Sequence, residues 1–318
     1  MSSTSFGRRG FLRSAAAGTA LASLPAVPAA AVPAAPKSRR RTATFRWLGT
    51  SGWHIDVAGR TVLVDPYLSR FPTGLSTGGF DPATPLRVDT DAIAAARLGT
   101  PETILVTHTH WDHFNDVPHL ATSSGARVLG TLTAYHLGLA LGVPAGQLSP
   151  VKGGEVLAFG DYTVEVVAAL HSRNAAYSMA FPGVRTEAPS RAPATIADLP
   201  EGDTLAYQIR VADGPSVFLM GASDFVERNL SGLRPDVAMI AMPSGDATHA
   251  YVPRLLAALG HPEVVIPVHW DDFESPLTNP PPVAPANAAR LRAFTEAIRT
   301  VSPRARILVP EYDTPYTF

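Results

Sequence analysis

Apolar residues in this chain fall mostly in short runs bounded by Gly, Pro and Asp, the punctuation of strands and turns. Three such segments open the folded part: 44–48, then 53–57 with alternating character, then 61–64. Gly59-Arg60 turns the second into the third, so they read as a meander. The run Thr103-Ile104-Leu105-Val106 reads as a buried strand. Segments 155–159 and 162–170 flank Gly160-Asp161, and 205–211 and 216–220 flank Asp213-Gly214, which predicts two hairpins. Segments 237–241 and 264–268 read as buried strands, and 305–309 as a final one. Helical stretches are fewer. They are 90–98 behind Asp89 and Thr90, 131–141 closed by Gly142, 251–259 stopped by Gly260, and about 288–300 behind Asn287. Strands come early in each half and helices later. That order predicts an α/β chain of two stacked mixed sheets with helices outside.

Two segments have no period. Residues 71–87 and 173–200 are long loops, and long loops in compact domains are often functional. They are expected to wall a pocket with Phe71, Phe80, Tyr177 and Phe181, with Arg173 and Arg185 placed to meet an anionic group and Tyr67 close by.

The chain has 318 residues, of which 46% are hydrophobic and 17% charged, enough for one large core. It has no cysteine, so any metal must be held by His, Asp or Glu. Phe6-Gly7-Arg8-Arg9-Gly10-Phe11-Leu12-Arg13 resembles a twin-arginine export signature. An Ala-rich stretch follows, interrupted by Pro25 and Pro28 and too short for the roughly 20 apolar residues of a membrane span. The expected organisation is a signal peptide over 1–36, a flexible basic start over 37–43 and one domain over 44–318. The expected location is periplasmic or extracellular, with the twin-arginine translocation machinery as a partner. Residues 1–36 carry three arginines and no acid, so the remainder holds 23 basic and 27 acidic side chains, a net −4. That balance argues against a nucleic-acid partner.

The densest chemistry is Thr107-His108-Thr109-His110-Trp111-Asp112-His113. Four metal-ligand types fall within six residues directly after an apolar strand. Imidazole and carboxylate suit zinc and its first-row neighbours. Three further candidates stand at or just past the ends of apolar strands: His171, Asp224 after Gly221-Ala222-Ser223, and His269. Strand ends on one edge of a sandwich can converge, so seven ligands from four loops could build two adjacent sites. His54, His119, His136 and His261 read as structural.

These residues resemble the metallo-β-lactamase superfamily. His108, His110, Asp112 and His113 match its HxHxDH motif, and His171, Asp224 and His269 follow in the expected order. Asp65-Pro66 matches its early strand-Asp-Pro element. Trp47-Leu48-Gly49, Met242-Pro243-Ser244-Gly245-Asp246 and Val265-Ile266-Pro267-Val268-His269-Trp270 resemble its ascorbate-6-phosphate lactonase-like branch. The resemblance covers roughly 44–310 and implies a four-layer αββα sandwich. It implies two divalent ions, zinc first and manganese or iron as alternatives. His108, His110 and His171 would hold one ion; Asp112, His113 and His269 the other; Asp224 would bridge them. The family usually has Gly-Asp at the bridging position, and here the Asp comes later. The ions would activate a hydroxide, which Asp112 would also orient. Asp65 would accept a hydrogen bond from a ligand histidine. The resemblance places the 244–249 loop near the metals, which makes His249 a substrate-contact candidate.

The expected activity is metal-dependent hydrolysis of a small-molecule ester, lactone or amide. Cleavage of a phosphodiester, as in phospholipase-D-like branches, is the alternative enzyme reading. A binding protein that keeps metal only to hold its loops is the alternative of another class.

Overall fold

The structure, a computed structural model, describes residues 41–318. The expected signal peptide and residues 37–40 of the basic start lie outside them. The first half supplies β1 (Ala43–Gly49), β2 (Gly52–Val57), β3 (Arg60–Val64), α1 (Thr90–Ala95), β4 (Pro101–Leu105), α2 (Trp111–Phe114), α3 (Val117–Ser124), β5 (Arg127–Gly130), α4 (Leu132–Ala140) and β6 (Leu148–Pro150). The second supplies β7 (Val156–Ala158), β8 (Tyr162–Ala169), β9 (Thr204–Val211), β10 (Ser216–Met220), β11 (Val237–Ala241), α5 (Tyr251–Ala258), β12 (Val264–Val268), α6 (Pro285–Val301), β13 (Arg306–Ile307) and β14 (Pro315–Thr317).

Strands β1 to β6 lie in chain order in one seven-stranded sheet, antiparallel up to β3 and parallel from there. β14 returns to pair with β1 as that sheet's outer strand. Strands β7 to β13 form a second seven-stranded sheet, antiparallel up to β10 and parallel beyond.

Period-two alternation explains the layers. In β3, Val62 and Val64 face the core shared by the two sheets, while Leu63 faces a second core under the helices. Leu105 and Leu129 join the first core, and Ile104 and Val128 the second. A strand buried on both faces must be apolar throughout, which is why these segments read as continuous runs. α3 and α4 cover the first sheet, and α6 packs on the second beside α5. The predicted four-layer αββα sandwich is the observed fold.

Several elements were not predicted. α3 carries Pro118 in its first turn, where the missing N–H costs no helical bond, and ends at Gly125 with φ 79°. β5 shows only Val128-Leu129 as an apolar signal, and β14 is three residues long. α6 starts at Pro285 behind Ala284, not behind Asn287, because proline suits the first helical position. The two long loops pair with each other: Leu86 N donates to Ala194 O and Ile196 N to Thr84 O.

One buried network ties the end of β12 to the rest. Arg70 Nη2 donates to Asp271 Oδ2 at 2.6 Å, and Tyr312 OH donates to the same oxygen at 2.7 Å. Thr50 N donates to Asp271 Oδ1 at 3.0 Å, and Thr50 O accepts His269 N at 2.8 Å. The Tyr312 ring stacks on Trp47, which stacks on Trp270.

Candidate metal centre

Three strands deliver the ligand types to one edge. His108 and His110 follow β4, and Asp112 and His113 open α2. His171 follows β8, and His269 follows β12 with φ 61°. They form two triads, His108/His110/His171 and Asp112/His113/His269. Within each, the candidate donor atoms lie within 4.8 Å of one another. The triads are contiguous: the His108 and His113 rings are 3.9 Å apart between centroids.

Neighbouring groups fix which ring nitrogen is free. His113 Nδ1 lies 2.8 Å from Asp65 Oδ2 and donates to it, so Nε2 is the nitrogen turned toward its triad. Asp65 also accepts from Thr107 N at 2.7 Å and Thr107 Oγ1 at 2.6 Å. That hydroxyl is 3.1 Å from His108 Nδ1 and accepts its proton. His110 Nε2 donates to Ala180 O at 2.8 Å, and His171 Nδ1 to Ser172 O at 2.9 Å. Four imidazoles are thereby oriented by partners outside the triads.

A cation fits this arrangement. His108 Nε2 and His113 Nε2 are buried without a hydrogen-bond partner. Such orphaned atoms are costly unless something binds them. Burial first, then the neighbouring imidazoles, holds His108 well below the usual histidine range. Burial and His171 take His110 down to about 3, and burial takes His171 to about 4. All three are neutral, the form that ligates metal. Burial opposes charge on Asp112, but His113 and His269 outweigh it and hold the carboxyl well below its usual range. Burial opposes charge on His113 too, yet Asp112 and Asp65 push it up to about 10. The carboxylates demand a positive charge at this point, which a proton or a metal ion can supply.

Two expected residues are not brought in. Asp224 lies outside both triads and outside the walls of the metal cavity, and its Oδ1 accepts the neighbouring Phe225 N at 2.8 Å. Its backbone is bridged to Leu170, which lines the neighbouring cavity and not this one. Gly221 and Ala222 line the cavity where a bridging carboxylate was expected. Gly221 is required for packing, since a Cβ there would lie 2.0 Å from Thr107 Oγ1 and 2.7 Å from Asp65 Oδ2. His249 is exposed and does not line the cavity; from its loop, Ser244 does. The turn into α5 places Ala250 at φ 45° and leaves His249 in solvent.

The triads face a cavity of about 440 Å³. The expected loops wall it: Leu75 and Phe80 from the first, Asn174, Ser178, Met179 and Ala180 from the second. Phe181 stands behind, 6.2 Å from the His110 ring. Phe273, 5.4 Å from the His269 ring, completes the wall and was not anticipated, for it sits in a loop without pattern. Arg173 lines a neighbouring cavity that meets this one at His171, Ser172 excluded, and Met179. Arg185 lines neither. Tyr177 is exposed, while Phe71 and Tyr67 are buried in the core under the helices. Among the expected structural histidines, His54 Nε2 bonds Leu98 O and His261 Nδ1 bonds Ser302 Oγ.

Fold and triads define a class, the metal-dependent hydrolases of the metallo-β-lactamase fold. The family model described as "Beta-lactamase superfamily domain" matches residues 44–269, and the chain belongs to that family. It is 28% identical over 304 residues to a "UPF0173 metal-dependent hydrolase" of Myxococcus xanthus, covering 92% of this chain and 91% of that one. Among solved structures it resembles an isothiocyanate hydrolase from Delia radicum gut bacteria, with a TM-score of 0.55 at 18% identity, covering 86% of this chain and 99% of that chain. It also resembles Igni18, a metallo hydrolase from Ignicoccus hospitalis, with a TM-score of 0.51 at 20% identity, covering 87% and 98%. At these identities the structural likeness establishes the fold alone.

Proposed function

We propose that the chain is an exported hydrolase that cleaves a small ester, lactone or amide at two divalent metal ions. The observation that carries this reading is the pair of triads opening on one cavity with no Lys or Arg among its described lining residues. Phosphoryl-transfer sites commonly add cationic side chains to clamp the anion. A cavity without them favours a neutral carbonyl compound over a phosphodiester.

His108, His110 and His171 would hold one ion, and Asp112, His113 and His269 the other. Ions so held supply Lewis acidity and a water acidified toward neutral pH. Asp112, buried and kept ionised, would orient the attacking water as an acceptor. A donor set of imidazoles and one carboxylate, without thiolate, suits zinc first and admits manganese or iron.

The lactonase-like branch rests on the sequence resemblance of the 242–246 and 265–270 motifs; from the first, Met242 and Ser244 line the cavity. A hydrolase domain over 44–318 is supported by the family match starting at residue 44. Export rests on the twin-arginine pattern at Phe6 to Arg13, which would make the translocation machinery a partner. No helix among the described residues is long and apolar enough to cross a membrane.

The test is turnover by metal-loaded protein on a lactone, a β-lactam and an activated phosphodiester, each with an EDTA control. Chelator-sensitive cleavage of a carbonyl substrate supports the reading. Cleavage of the diester alone moves the protein to the phosphodiesterases. Silence on all three, with full metal occupancy, favours a binding role.

A further inference from the structure

We infer that the substrate carries an apolar, uncharged group beside its scissile bond, seated against Phe80, Trp111 and Phe273. This deepens the proposed hydrolase reading and rests on it for the position of the bond.

Three unrelated segments contribute to that wall. Phe80 comes from the loop after β3, Trp111 from the start of α2, and Phe273 from the loop after β12. Phe80 and Trp111 are 5.9 Å apart between ring centroids, and Trp111 and Phe273 are 6.4 Å apart. These spacings are those of a packed aromatic cluster. Phe80 and Phe273 are only half-buried while Trp111 is buried behind them, so the cluster presents its two phenylalanines to the cavity. Trp111 lies between His110 and Asp112, so the aromatic wall runs directly alongside both triads. Leu75, 47% exposed, stands at the cavity mouth and extends the wall outward. Exposed Leu and half-exposed Phe gain by burial when an apolar group arrives.

The charged residues lie on the other side. Lys152, Glu155, Arg173 and Asp203 line the neighbouring cavity beyond His171. An ionic group on the substrate would therefore sit past His171, and the group on the His269 side is the apolar one.

The experiment compares two γ-lactones, one unsubstituted and one bearing a hexyl chain on the ring, using metal-loaded protein. Calorimetry with acetate and with phenylacetate runs in parallel and reads binding without turnover. The hexyl ring should show kcat/KM about tenfold or more above the bare ring, and phenylacetate should bind about tenfold tighter than acetate. Phe80→Ala and Phe273→Ala should shrink both ratios, and Phe273→Leu should restore most of them. Ratios near one, or ratios unmoved by both alanine variants, overturn the inference. If neither ring is cleaved, the lactone reading fails and the carboxylate affinities alone decide: equal affinity, or no binding of either, overturns the inference here as well.

Discussion

Asp65 Oδ2 stands 2.8 Å from His113 Nδ1 and 2.6 Å from Thr107 Oγ1, so one buried carboxylate orients the rings of both triads. It acts on His113 directly and on His108 through the Thr107 hydroxyl. Its own backbone sits at φ 40°, where the chain leaves β3, a conformation Asp tolerates better than most residues. Asp65→Asn keeps the shape but weakens acceptance from His113 and removes charge behind it. Metal affinity should fall about 10–100-fold, as for other partners of ligand histidines. Competition titration with a chromophoric chelator reads this, and unchanged affinity would refute the role given to Asp65.

The triads predict stoichiometry. His171 belongs to one and His269 to the other. Each alanine variant should drop bound metal from two ions per chain to one, measured by elemental analysis after gel filtration. Two ions retained in either variant would mean that the triads are not separate sites.

Much of the fold and most of the site can be read in the sequence, for a physical reason. Strand segments buried on both faces read as apolar runs, so Ile104-Leu105-Val106 at the end of β4 stands out, as do β11 and β12, and ligands placed just past the first and last stand out too. Asp224 misled because position along the chain does not say where a side chain points. Asp224 is bridged to Leu170, outside the metal cavity, and that pairing is set in three dimensions. His249 misled similarly, since its loop enters α5 through Ala250 at positive φ. Phe273 was invisible because nothing periodic marks a loop residue that joins a cluster with Trp111. The Arg70–Asp271 pair joins residues 201 positions apart and leaves no local signal.

Without metal, stability should peak near pH 6.5. His110 and His171 are held down to about 3 and about 4, so their neutral forms belong to the folded state. Their contribution is complete above the unfolded value near 6.5 and is lost as pH falls through those folded values. His113 is pushed up to about 10, so its contribution is complete below 6.5 and is lost as pH rises through 10. Thermal melts of chelated protein from pH 4 to 10 should fall on both sides. Metal binding needs His113 deprotonated, so affinity should rise with pH between about 7 and 10. A melting profile flat across the range would contradict this.

The Arg70–Asp271 pair is fully buried, so breaking it by half is expensive. Arg70→Ala strands a carboxylate and should cost about 3–5 kcal/mol in urea unfolding. Replacing both partners, Arg70→Met with Asp271→Leu, should cost less than the sum of the single changes, because no lone charge remains. Additive costs would mean that the pair acts only through packing. Arg70→Ala should also loosen metal at His269, whose backbone N bonds the same Thr50 that Asp271 holds.

Gly221 joins the second sheet to Asp65. It follows β10, and a Cβ there would lie 2.0 Å from Thr107 Oγ1, far inside contact distance. Thr107 cannot yield without leaving Asp65, because its hydroxyl and backbone N both donate to that carboxylate. Gly221→Ala should therefore cost about 1–3 kcal/mol of stability, the range for overpacking a tight interior. It should also lower metal affinity in the same direction as Asp65→Asn, since both disturb the His113 and His108 supports. Combining the two substitutions separates the effects. If Gly221 acts through the Asp65 network, the double variant should lose little more metal affinity than Asp65→Asn alone, while the stability costs still accumulate. Fully additive losses of metal affinity would show that Gly221 supports the site by a route independent of Asp65.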